Sequence, residues 1–138
     1  MKIVVAYDGS EDAKEGLKLA KRFLEEEKGE LVVISVVAKR DDMSNEEIAS
    51  LKSKAEGLLK EAQSILPQVS PKTSLLEDYS VSEAILKFVG KEEADLLIMG
   101  ARGSRPDIMR FTLGSTTAKV VSFAPCSVFI VRKKVTEE

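Results

Sequence analysis

The chain has 138 residues, 43% of them hydrophobic, which fills one core of ordinary size and leaves no material for a second domain, so a single domain is expected over residues 1–138. Its formal net charge is −2, with 21 Lys and Arg scattered among 23 Asp and Glu, a balance that excludes the basic footprint of a nucleic-acid or anionic-membrane binder. It has no histidine and one cysteine, Cys126, which excludes an internal disulfide, Ser–His and Cys–His nucleophile pairs and histidine-ligated zinc.

Ile3 to Tyr7 is an apolar strand entered directly from Met1-Lys2, with no export-type segment ahead of it. Ala13, Leu17, Ala20 and Leu24 then fall on one helical face, and Gly29 is placed to end that helix. Leu31 to Val37 is a second strand. Ser44 with Glu47 forms a capping box ahead of a long helix in which Ile48, Leu51, Ala55, Leu58, Ala62 and Ile65 recur at steps of three and four, until Pro67 stops it. Each such cap contributes about 1 kcal/mol. Thr73 to Leu76 is a shorter, more polar strand, read as a sheet edge. Ser80 with Glu83 repeats the box before a helix carrying Val81, Ala84, Ile85, Phe88 and Val89. Leu96 to Met99 is the fourth strand. A last helix starts near Ser115 and buries Ala118, Val121 and Ala124 before Pro125, and Val128 to Val131 closes the chain as a fifth strand. No apolar run approaches the roughly 18 residues of a membrane span. The expected setting is the cytoplasm, where a lone thiol stays reduced, with neither membrane nor nucleic acid as partner.

Strands alternating with helices define an α/β fold, and the near-continuous Val, Ile and Leu of four strands suit a parallel sheet covered on both faces. Helices reach both faces only if the winding reverses once, and a ligand crevice lies at that reversal, beyond the carboxyl ends of the strands. Two loops at such ends carry chemistry: Asp8-Gly9-Ser10 after the first strand and Gly100 to Gly114 after the fourth. A five-stranded sheet of order 3-2-1-4-5 brings them together. The second loop, with Gly100, Gly103 and a Gly114-Ser115-Thr116 helix start, suits phosphate. Glycines let the backbone approach an anion, while hydroxyls and the free N–H groups of a helix start donate to its oxygens. Asp8 suits ribose hydroxyls or a magnesium ion held through water. It can equally cap the first helix with Ser10, just as Ser115 and Thr116 can be ordinary caps. Arg102, Arg105 and Arg110 are charge partners for a polyphosphate or merely solvated.

These residues resemble the universal stress protein family along essentially the whole chain. The likeness is carried by Tyr7-Asp8-Gly9-Ser10, by Ala94-Asp95-Leu96-Leu97-Ile98-Met99-Gly100, by Gly114-Ser115-Thr116 and by Pro125-Cys126-Ser127-Val128-Phe129-Ile130-Val131. The resemblance implies a three-layer, Rossmann-like fold of the adenine nucleotide alpha hydrolase type. It further implies binding of ATP or another adenine nucleotide through Gly, two residues, Gly, nine residues and Gly-Ser. Here ten residues, Ser104 to Leu113, separate Gly103 from Gly114. Ala6, Val36 and Met99 end strands around the expected crevice, where they can surround the base or merely fill the core; the resemblance supports Val36 and Ala6, where many relatives have proline, and implies Asp8, Gly100, Gly103, Gly114, Ser115 and Thr116 at the ribose and phosphates.

If Ser127 to Arg132 forms the sheet edge, its unpaired backbone invites another chain, and the resemblance implies a homodimer formed there by antiparallel pairing. The expected function is an ATP-binding stress-response or regulatory module without catalytic machinery. The alternatives are a dimeric interaction protein that binds no nucleotide and a slow, magnesium-dependent ATPase using Asp8. No P-loop or Gly-x-Gly-x-x-Gly motif is present, which disfavours phosphotransfer and dinucleotide chemistry. Tyr79 stands where many relatives carry glycine and can narrow the crevice or cover the sheet edge. Cys126 reads as a packed thiol, and Lys133-Lys134 with Glu137-Glu138 as a solvated end.

Overall fold

The computed structural model describes residues 1–101 and 113–133. Five strands and four helices alternate along them: β1 (Lys2–Ala6), α1 (Glu11–Glu26), β2 (Glu30–Ala38), α2 (Asn45–Ile65), β3 (Lys72–Asp78), α3 (Val81–Lys91), β4 (Leu96–Gly100), α4 (Ser115–Phe123) and β5 (Ser127–Val131). A short 3-10 turn, Pro67–Val69, follows α2, as the proline dictates. The strands form one parallel sheet in the order β3-β2-β1-β4-β5. Among the described residues no helix is long and apolar enough to cross a membrane.

Strand periodicity divides the core into two layers. Ile3, Val5 and Tyr7 of the first strand segment join Leu31, Val33, Leu96 and Ile98 on the face covered by Ala13, Leu17 and Ala20 of α1 and Leu59 and Ala62 of α2. Val4, Val32, Ile34, Leu97 and Met99 face the opposite way, against Ile85 and Val89 of α3 and Val120 of α4. Both faces of the central strands are therefore dry, which is why they read as unbroken apolar runs. β3 is an edge, as its polarity indicates, although its seven residues make it longer than β1, β4 or β5. Pairing with all of Val32 to Ala38 extends it.

Three of the helices start at the expected caps. The hydroxyl oxygens of Ser10, Ser44 and Ser80 accept from the N–H groups of Ala13, Glu47 and Glu83 at 3.1, 3.1 and 3.3 Å.

Other expectations need correction. Helix α1 ends at an extended Glu27, not at Gly29. Gly29 serves a close approach instead, because a Cβ there would run into the Met1 carbonyl, which accepts the Glu30 N–H at 2.9 Å. On α2, Leu59 rather than Leu58 enters the core with Ala55 and Ala62. On α4 the buried residues are Thr117 and Val120, whereas Ala118 is exposed, Val121 is 45% exposed and Ala124 is only half-buried. The inward face is set by Thr117, whose hydroxyl donates to the Gly100 carbonyl at 3.0 Å and turns the helix off its apolar stripe. Lys133 is also not a free end. Its N–H donates to the buried Asp12 carboxylate at 2.7 Å, and its ammonium lies 3.1 Å from Glu11. Lys134, Glu137 and Glu138 lie outside the described residues.

Candidate functional site

A cavity of about 500 Å³ opens over the carboxyl ends of β1, β2 and β4, at the reversal of winding. Ala6, Asp8, Val36, Met99, Gly100, Gly114, Ser115 and Thr116 all line it. Gly103, with Arg102, Arg105 and Arg110, lies outside the described residues.

The β1 side is held by backbone bonds that leave the Asp8 side chain near solvent. The Tyr7 N–H donates to the Ile34 carbonyl at 2.8 Å, and the buried Ser35 hydroxyl donates to the Tyr7 carbonyl at 2.7 Å. Asp8 accepts the N–H of the N-cap residue Ser10 at 3.0 Å, so one exposed carboxylate both holds the turn into α1 and lines the cavity. Gly9 sits at φ +82° with Leu58 of α2 against it, a backbone state that favours glycine.

On the β4 side, the ends of the long loop are fastened together. Ala101 N–H donates to the Val131 carbonyl at 3.0 Å, and Gly114 N–H returns to the Ala101 carbonyl at 2.9 Å. With Thr117 bonded to Gly100, the start of α4 is docked on the end of β4. Unlike α1, α2 and α3, helix α4 has no side-chain cap: its N-cap is Gly114. The first turn therefore presents N–H groups, with the Ser115 and Thr116 hydroxyls beside them, at the cavity wall.

A third wall escaped the sequence reading. Arg40 and Met43 from the turn after β2, and Leu51, Lys54, Ala55 and Leu58 of α2, close the cavity opposite α4. The signal was present, since Lys54 follows Leu51 by three and precedes Leu58 by four and so shares their face. Of the two cations in this lining, Arg40 is paired with Asp42 at 3.2 Å, which leaves Lys54 to set against the carboxylate of Asp8. Thr117 was also missed, because a hydroxyl in the first turn looks like a solvated residue until its carbonyl partner is known.

Tyr7 is buried in the same wall, and its hydroxyl donates to the Glu61 carboxylate on α2. Burial raises its pKa well above the ordinary phenol, and the bond to Glu61 and the charge of that carboxylate raise it further. Tyr79 does not line the cavity: it is 66% exposed, with the Lys39 ammonium 5.9 Å from its ring centroid. Cys126 is half-buried and its thiol pKa is raised by burial, as a packed cysteine requires. Among the described residues, no group of three or more acids or cysteines could hold a metal ion.

The model of the universal stress protein family matches residues 1–132. A universal stress protein of Thermus aquaticus is 36% identical over 135 residues, covering 94% of this chain and 97% of its own. Among solved structures, the hypothetical protein MJ0577 superposes with a TM-score of 0.82 at 26% identity, covering 98% of this chain and 97% of that one. An Archaeoglobus fulgidus universal stress protein, solved in complex with dAMP, superposes with a TM-score of 0.72 at 23% identity, covering 96% and 98%. Strand order and a match over nearly the full length agree: the chain belongs to the universal stress protein family.

Proposed function

We propose that the cavity binds an adenine nucleotide, ATP foremost, and that the protein acts as a stress-response or regulatory module that binds without turnover. The observation that carries this reading is the first turn of α4, which has no side-chain cap and lines the same cavity as Asp8. Phosphate oxygens would take the α4 N–H groups and the Ser115 and Thr116 hydroxyls, and Gly100 and Gly114 would let them approach. Gly103 belongs to the same cradle in the family pattern. Asp8 would accept from the ribose and, with water and phosphate oxygens, hold magnesium. Ala6, Val36 and Met99 would flank the base at the strand ends. The volume fits a ligand of nucleotide size. The dAMP-bound relative supports the ligand class through shared fold.

The same reading includes a homodimer through Ser127 to Arg132. β5 is an edge strand, and Phe129 on it is 41% exposed, with Val121 and Phe123 of α4 also exposed at 45% and 69%.

Protein purified without nucleotide and then denatured should release an adenine nucleotide at near-stoichiometric amount, identified by mass spectrometry. Asp8→Ala and Gly114→Leu should each weaken calorimetric binding of Mg-ATP by about tenfold or more, roughly 1.4 kcal/mol. Both should sediment as the same dimer as the parent. Absence of released nucleotide together with flat calorimetry against Mg-ATP and AMP overturns the binding reading, and a monomer at micromolar concentration overturns the dimer.

A further inference from the structure

Asp8 is exposed and follows the end of β1, so its position depends on what anchors the residues on either side of it. Tyr7 is fixed through its main chain by Ile34 and Ser35 of β2. Its side chain passes to the α1/α2 face of the sheet, where the phenol donates to Glu61, 54 residues further along the chain. The Lys14 ammonium of α1 lies 3.9 Å from the same carboxylate oxygen. Leu58, one turn before Glu61, sits 2.8 Å from where a Cβ on Gly9 would be. One stretch of α2 therefore grips Asp8 from both neighbours, through a hydrogen bond to Tyr7 and a packing contact on Gly9.

A phenylalanine would fill the Tyr7 site as well. A hydroxyl at a position only 2% exposed is destabilising unless it is bonded, so the Tyr–Glu pair is a specific fastening rather than general packing. The raised phenol pKa keeps the proton on Tyr7, and the group remains a donor to Glu61 across the physiological range.

We propose that Tyr7 and Glu61 are positioning residues that hold the Asp8 carboxylate where it meets the ribose hydroxyls of a bound nucleotide. The proposal rests on the nucleotide reading above and adds to it a dependence on α2. Without the hydroxyl or its acceptor, Asp8 samples several positions, and only interactions made by Asp8 are weakened.

The test compares calorimetric binding of ATP with that of its 2′,3′-dideoxy analogue, which lacks the ribose hydroxyls. Measured for both ligands in EDTA, so that magnesium held by Asp8 plays no part, Tyr7→Phe and Glu61→Ala should weaken ATP binding about five- to tenfold, the scale of one hydrogen bond, and leave the dideoxy analogue unchanged. Glu61→Gln, whose amide oxygen still accepts from the phenol, should bind ATP nearly as the parent does. Glu61 is exposed, so Glu61→Ala carries the test if Tyr7→Phe proves poorly folded. Equal weakening of both ligands, or unchanged ATP binding in Tyr7→Phe and Glu61→Ala beside a weakened Asp8→Ala, overturns the positioning role and leaves the nucleotide reading standing. If Asp8→Ala is also without effect on ATP, Asp8 does not meet the ribose and the positioning role falls with it, whereas the nucleotide reading fails only if the parent protein binds no ATP.

Discussion

Gly100→Val should reduce nucleotide affinity by more than about tenfold and destabilise the fold by roughly 1–3 kcal/mol, the range of an overpacked site. A Cβ at position 100 would stand 3.0 Å from Asp12 Cβ and 3.5 Å from the Ala13 nitrogen, and both partners belong to the first turn of α1. That contact is backbone and near-backbone, so it cannot be relieved by turning a side chain. The two extra methyl groups of valine must either push α1 away or tilt the end of β4. Either movement separates the Asp8-Gly9-Ser10 turn, which leads into α1, from the start of α4, which Thr117 ties to the Gly100 carbonyl. Calorimetry against Mg-ATP and urea unfolding read the two effects. A valine variant that binds as the parent does would mean that the ligand does not span these two loops.

Ile98→Ala should cost about 2–5 kcal/mol, the range for emptying a buried branched site. Ile98 is fully buried in the centre of the sheet, opposite Val5 of β1 and Phe129 of β5. Its Cγ2 atom lies 3.1 Å from where a Cβ on Gly16 would be, so α1 already sits as near to β4 as glycine permits. Removing that contact still leaves the first turn of α1 packed on Gly100 through Asp12 and Ala13, so the helix cannot settle much further onto the vacated space, and the cavity persists. Against the about 5–15 kcal/mol typical of a whole domain, this is a large fraction of the stability. Urea denaturation should show a much lower midpoint with an unchanged slope, and a loss under about 1 kcal/mol would show that α1 closes the gap after all.

Much of this architecture can be read from residue order because its signals are local. Runs such as Val4-Val5 and Leu97-Ile98 announce strands buried on both faces, and Ser10, Ser44 and Ser80 mark helix starts through donors only three residues away. That Asp8 and Gly114 line one cavity follows from topology, since the order β3-β2-β1-β4-β5 sets the ends of β1 and β4 side by side. What stayed hidden depends on partners distant in sequence. Thr117 reverses the expected face of α4 through a carbonyl 17 residues earlier, and a periodicity count scores threonine as solvent-facing. Gly29 looks like a helix stop until Met1 is found against it. On α2, Lys54 shares a face with Leu51 and Leu58, but Leu51, Ala55 and Leu58 also have the spacing of ordinary core residues, and nothing near Tyr7 in the chain points to Glu61. Gly103, on which the family motif also rests, and the loop arginines lie outside the described residues.

The bond from the Lys133 N–H to Asp12 stitches together two points 121 residues apart, just beyond the end of β5. Asp12 is only 3% exposed, so that main-chain donor solvates an acid which water scarcely reaches. Trimming the chain to residue 131 would deprive the carboxylate of this donor at a penalty of about 1–3 kcal/mol, visible as a lower melting point. Affinity tags and fusion partners therefore belong after Lys133, where they leave the seam closed.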